Sequence, residues 1–256
     1  MIPPFQTTFA VPLSCESCIR DVSTSLYKLD GINKVDADLK QQIVSIEGNA
    51  PPSAIVSAIQ ATGRDAILRG SGKPDTAAVC ILETHASSAP DNKVRGLARM
   101  VQVAANTTVV DLSVRGLAPG RYHASVRETG DISSGPESVG GVWGSGGGGP
   151  DGGPPSSPPP PAKASARGIF GTVTVGAGGV GAVFLDRPVQ VWEMVGRAMV
   201  VSRRAPGERL DKEDPDTLVG VVARSAGVWD NDKTVCSCSG KTVWEERREQ
   251  VDRGML

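Results

Sequence analysis

Along the first 70 residues the spacing of apolar positions switches between two periods. Thr7, Phe9 and Val11 alternate with polar neighbours, which predicts a strand. From Ser14 the step lengthens, and Ile19, Val22, Leu26 and Leu29 form one stripe of an amphipathic helix that Asp30-Gly31 stops. Val35, Ala37 and Leu39 alternate again, Lys40-Gln41-Gln42 turns the chain, and Val44 and Ile46 continue as a strand. Pro51-Pro52-Ser53 opens a second helix carrying Ile55, Ala58, Ile59 and Thr62, which ends at Gly63, and Ala66-Ile67-Leu68 makes a last strand. The order is β-α-β-β-α-β, the split βαβ arrangement.

A break at "RGSGKP" (Arg69 to Pro74) separates this unit from short strands with Gly-rich turns. "AVCIL", "MVQVA", "TVVDLSV", "RYHASVRE", "GTVTV", "GAVFL", "MVVS" and "TLVGVVA" predict an antiparallel sandwich or barrel. Between them "GSGGGGPDGGPPSSPPPPAKASA" (Gly144 to Ala166) holds nothing from which a core is built and is expected to be a disordered loop. After Trp229 the chain turns polar, with a short helix expected at "TVWEERREQV". The expected layout is an α+β ferredoxin-like domain over 1–70 and an all-β Greek-key sandwich or barrel over 75–229. A flexible tail over 230–256 follows.

Composition narrows the function. Net charge is −1, so no basic surface invites nucleic acid. No run reaches the roughly 18 apolar residues of a membrane span, and the start lacks the pattern of a secretory signal. A soluble, cytoplasmic protein is expected, where thiols stay reduced and close cysteine pairs point to metal or redox chemistry. Residence in the mitochondrial intermembrane space is compatible as well. Four of the five cysteines form two such pairs, Cys15/Cys18 and Cys236/Cys238.

Cys15 and Cys18 fall at the junction of the first strand and helix, where a spacing of three brings both sulfurs to one ion and the helix N-terminus favours thiolates. With only His85 and His123 in the chain, two thiolates suit Cu(I) better than tetrahedral zinc, and zinc binding is doubtful. A thioredoxin-like redox pair is the alternative. Here the sequence resembles the heavy-metal-associated domain of copper chaperones, with Leu13 where that family has a packing Met. Arg64 in "GRDA" resembles the family's basic residue beside the metal loop.

"GLAPGRYHASVRETGD", "GRAMVVSR" and "LVGVVARSAG" resemble Cu,Zn superoxide dismutase over roughly Asp75 to Gly227. The enzyme's metal centres need a set of histidines that this chain does not have. His123 stands in one ligand-like place, while Arg127 and Ser202 stand where others belong, and Val219 takes the place of a disulfide cysteine. The resemblance therefore implies the dismutase fold without its chemistry, and Cys80 is expected to be a buried core residue.

Cys236 and Cys238 point to opposite sides of an extended chain, which suits transfer better than a fixed site. Nearly the whole chain resembles the copper chaperones for superoxide dismutase, above all the fungal branch through "RSAGVWDNDKTVCSCSGKTVWEERREQ". That resemblance implies that Cys15 and Cys18 acquire Cu(I), while the central domain docks immature Cu,Zn superoxide dismutase as a heterodimer. Cys236 and Cys238 would deliver copper and promote the client's disulfide. Arg224 and Trp229 are the partner-interface candidates, and a homodimer stays open. A divergent dismutase, a thiol–disulfide oxidoreductase and a copper buffer without a client are the rival readings.

Overall fold

The computed structural model describes residues 2–89, 93–145, 166–228 and 241–252. The first unit runs β1 (Phe5–Ala10), α1 (Glu16–Leu26), β2 (Ile32–Asp38), β3 (Ile43–Gly48), α2 (Pro52–Gln60) and β4 (Ile67–Ser71). Its strands form one antiparallel sheet in the order β2-β3-β1-β4, as the ferredoxin-like pattern predicts. Val22 and Leu26 from α1, Ile55 and Ile59 from α2, and Phe9, Val44 and Ile46 from the sheet are all buried in one core. Each such side chain contributes roughly 1.5–3 kcal/mol through burial. Leu29 lies beyond the end of α1 and packs against this core from the turn.

The second unit begins with β5 (Ala77–Thr84), β6 (Val94–Ala104), β7 (Thr107–Arg115) and β8 (Gly120–Val126). It continues with β9 (Ile169–Val175), β10 (Val180–Arg187), β11 (Ala198–Ser202) and β12 (Leu218–Arg224). These eight strands pair antiparallel in the order β10-β7-β6-β5-β12-β11-β8-β9, and the edge strands β9 and β10 lie side by side, so the Greek-key sheet nearly closes into a barrel. Its inward residues, among them Leu82, Met100, Leu112, Tyr122, Phe170 and Met199, fill the interior. A four-residue helix, α3 (Val191–Met194), sits in the connection before β11. It is too short to leave a helical period in the sequence. A last helix, α4 (Val243–Asp252), forms within the polar tail.

Trp143, Arg167 and Arg197 stand at the neck of the Gly/Pro tract. The two guanidinium groups lie 4.7 and 4.9 Å from the Trp143 ring, and Trp143 and Gly168 are joined by a backbone hydrogen bond of 2.8 Å. Cation–π contact on a partly buried indole stabilises that closure.

Three kinds of contact join the two units. Phe5 packs against Val101 and Val109 of the barrel, with Ile2, Val103 and Phe184 around them. The chain between them is sewn in by backbone hydrogen bonds: the Gly72 amide donates to the Gln6 carbonyl at 2.8 Å, and Val228 donates to the Gly72 carbonyl at 2.9 Å. The third contact is polar. Asp111 on β7 is 2% exposed. It accepts hydrogen bonds from the Ser53 amide and hydroxyl, each at 2.7 Å. Arg99 on β6 stands 3.7 Å from the same carboxylate. Ser53 lies in the first turn of α2, so the carboxylate also meets the positive end of that helix.

Candidate metal centre

The first cysteine pair is placed by the turn from β1 into α1. Cys15 is the N-cap residue, with extended backbone at φ −163°, and Cys18 lies in the first helical turn. The Cys18 and Ile19 amides donate to the Cys15 carbonyl at 3.0 and 3.4 Å. That geometry brings the two sulfurs to 3.3 Å. Cys15 is exposed and Cys18 is buried. Leu13 is buried in the same core as Phe9 and Val22, which anchors the start of the loop.

Polar groups surround both sulfurs, and those near Cys18 favour its thiolate form. The Ser14 hydroxyl is 3.3 Å from Cys18 Sγ, and the Ser17 hydroxyl is 2.9 Å from Cys15 Sγ. The Cys18 thiol is lowered from 9.0 to about 6, first by the Ser14 hydroxyl and then by the Ser14 backbone, Arg64 and Cys15. Arg64, in the turn after α2, is oriented by the Thr62 carbonyl at 3.1 Å and by Asp21 at 3.3 Å. At neutral pH the loop therefore offers a thiolate at Cys18, with a cation beside it to offset negative charge. Two soft sulfur donors, one exposed, form a site that a soft metal ion can enter from solvent.

Residues 8–65 match the heavy-metal-associated domain family. The Superoxide dismutase 1 copper chaperone of Debaryomyces hansenii is 45% identical over 258 residues, spanning 100% of this chain and 99% of that protein. The Superoxide dismutase 1 copper chaperone of Saccharomyces cerevisiae is 40% identical over 254 residues, 96% of each chain. The Copper chaperone for superoxide dismutase of Mus musculus is 31% identical over 257 residues, 95% of this chain and 89% of that protein. This chain belongs to the copper chaperone for superoxide dismutase family.

In this family member the barrel carries no equivalent cluster of metal-binding side chains among the described residues. His123 on β8 faces Ser202 on β11 across the ladder, and Arg127 is a buried residue just past β8. Cys80 is fully buried on β5, and burial pushes its thiol up to about 12. It is a core residue without accessible thiolate. Arg224, at the end of β12, forms an exposed ion pair with Asp75 at 2.9 Å. Trp229, Cys236 and Cys238 lie outside the described residues. Two exposed apolar side chains stand near Arg224: Ile81 on β5, which the sequence did not single out, and Val221 on β12, which begins the stretch "VVARSAGVW" that carries Arg224 and Trp229. They are 53% and 36% exposed on adjacent paired strands. The pattern signal existed, since both are apolar residues at outward positions of their strands, but it does not separate an interface residue from a scattered surface one. Ser14 and Ser17 were missed as well, although they flank the cysteines in "LSCESC".

Proposed function

We propose that this chain carries copper as Cu(I) to immature Cu,Zn superoxide dismutase and promotes that client's disulfide. The reading is supported by the full-length kinship with copper chaperones and by one observation above all, the paired sulfurs of Cys15 and Cys18 at 3.3 Å. Cys15 and Cys18 acquire the ion as thiolates, the form that soft Cu(I) selects. An exposed sulfur on one side lets an incoming thiolate join the ion before an old one leaves.

Cys236 and Cys238 act at the client. As thiolates they pass the ion on. As a disulfide they are attacked by a client thiolate, which forms a mixed disulfide; the second client thiolate then closes the client's bond and releases the pair as two thiols. An external oxidant such as dioxygen restores the Cys236–Cys238 disulfide. Docking is by heterodimer formation, and the apolar outer face formed by Ile81 and Val221 is its centre. Two short connections adjoin that face: a methyl at Gly130 would run into the Gly196 carbonyl, and also lie 3.5 Å from Val221. Arg224 lies toward its rim, and Trp229 is assigned to the same contact on the sequence alone. The barrel supports docking and performs no dismutation, since the chain has only two histidines. Free thiolate pairs require a reducing setting, and the cytoplasm provides it.

The test uses reduced, zinc-loaded, copper-free dismutase, this protein carrying Cu(I), and a strong Cu(I) chelator in excess. Dismutase activity and client disulfide should appear despite the chelator, and should vanish in Cys236→Ser/Cys238→Ser. Copper that stays bound at Cys15 and Cys18 while activity never appears would remove the client assignment.

A further inference from the structure

α4 borders a groove between the two units rather than standing alone. One wall is α2 and the chain into β4, with Val56 and Leu68; the other is the outer face of β6 and β7, with Arg99 and Ser113. The helix contributes Arg247, whose Nε and Nη2 donate to the two Asp65 oxygens at 3.0 and 3.2 Å. This is the two-pronged geometry that gives an arginine–carboxylate pair its directionality. Asp65 is itself held by Gln60 Nε2 at 3.1 Å and by the Ala66 amide at 2.8 Å. The Arg247 side chain is only 16% exposed. It lies near enough to Arg99 and Arg115 for its charge to oppose theirs, although burial is the larger influence on both. The contact thus combines a strong directional attraction on one wall with like charge on the other. Such a balance makes the Arg247–Asp65 pair a directional anchor for the docked helix.

α4 has a low apolar content, and alone a ten-residue helix of this kind is marginal in water. Its N-terminus is capped within the tail, by the Thr242 hydroxyl 3.2 Å from the Glu245 amide. The Thr242 amide in turn donates to the Glu245 carboxylate at 2.7 Å. Cys238 precedes α4 by only five positions in sequence.

We propose that Arg247 is a positioning residue. Through Asp65 it docks α4 between the two units and so fixes the chain on the C-terminal side of Cys236 and Cys238. The inference rests on the delivery role assigned above to that pair. Its gain is an effective concentration: a tethered end explores less space than a free one.

The test follows amide hydrogen exchange over 244–251 in the full-length protein, together with the rate of client disulfide formation. Arg247→Glu should raise exchange at these amides about fivefold or more, while amides of α1 keep theirs. It should slow client disulfide formation severalfold, with Cu(I) affinity unchanged. The swap Asp65→Lys/Arg247→Glu should restore both. Arg247→Ala, which removes the pair without adding a like charge, should fall between. Equal exchange in wild type and Arg247→Glu would overturn docking. Lost protection with an unchanged transfer rate would overturn the positioning role. Exchange needs neither copper nor client, so a wild-type protein that docks α4 but never activates dismutase would refute the functional reading alone.

Discussion

Removal of the Asp111 carboxylate tests whether the two units are joined in solution as described. The change to alanine leaves Arg99 without its buried partner and strips the Ser53 amide and hydroxyl of their acceptor. Breaking a buried, hydrogen-bonded charge pair by taking one member costs about 3–5 kcal/mol. Ser53→Ala removes a single hydrogen bond to a charged group and should cost about 1.5–3 kcal/mol. The two residues are 58 apart in sequence and belong to different units, so their coupling in a double-mutant cycle measures the junction itself. Contacting pairs of this kind couple by about 0.5–3 kcal/mol. Urea unfolding followed by barrel tryptophan fluorescence, with Trp143 and Trp192 as reporters, supplies the four free energies. Asp111→Ala within about 0.5 kcal/mol of wild type would refute the reasoning, because an ordinary surface substitution does no more than that. So would additive effects of the two substitutions, which would mean that Ser53 and Asp111 do not meet.

Other outcomes follow from the same geometry. Alkylation of metal-free protein should report a Cys18 midpoint at about 6; Ser14→Ala should move it upward, and a wild-type midpoint at the ordinary 9.0 would sink the assignment. The sign is fixed: the depressed value stabilises the folded loop fully above the ordinary thiol value, and that contribution is lost as pH falls through about 6. Ile81→Asp and Val221→Asp should each weaken association with dismutase roughly tenfold, about 1.4 kcal/mol, in sedimentation experiments, with copper capture intact. Replacement of 146–165 by a short Gly/Ser linker should leave barrel stability within about 1 kcal/mol, since loop-closure entropy changes slowly with length. Trp143→Ala should instead cost about 2 kcal/mol by removing the cation–π contacts that close the neck, read by urea unfolding followed by circular dichroism.

What the sequence made legible follows from where periodicity and burial coincide. Val22 and Leu26 are fully buried, and they are two of the positions that the helical stripe selects. The cysteine spacing placed both sulfurs correctly, because an i, i+3 step across a helix start allows little choice of geometry. Asp111 was not legible. Within "TVVDLSV" it reads as one more alternating polar position, and its meaning comes from a helix end 58 residues earlier. Ser14 was hidden for another reason: which way a loop hydroxyl turns depends on the backbone of the turn, and composition carries no trace of it. The docking of α4 was beyond reach because Arg247 stands in a charge-rich run where any arginine looks like a solvated one.

These separate contacts meet on one short element. α2 has nine residues, a rod about 13 Å long. Its first turn is held by Asp111 of the barrel. The turn beyond its far end carries Arg64 and Asp65 in succession, and they serve different neighbours. Arg64 turns to Asp21 and to the Cys18 sulfur, while Asp65 turns to Arg247 of α4. The groups that lower the Cys18 thiol, Ser14, Arg64 and Cys15, all belong to the first unit. The Cys18 thiolate is therefore built locally, and the metal capture proposed for it should be insensitive to how the barrel holds α2. The position of α4 depends on both walls of the groove, and so on the same junction. The division is a physical one: thiolate chemistry needs contacts of a few ångströms within one small fold, whereas the proposed delivery to a client docked on the barrel depends on how the two folds are joined.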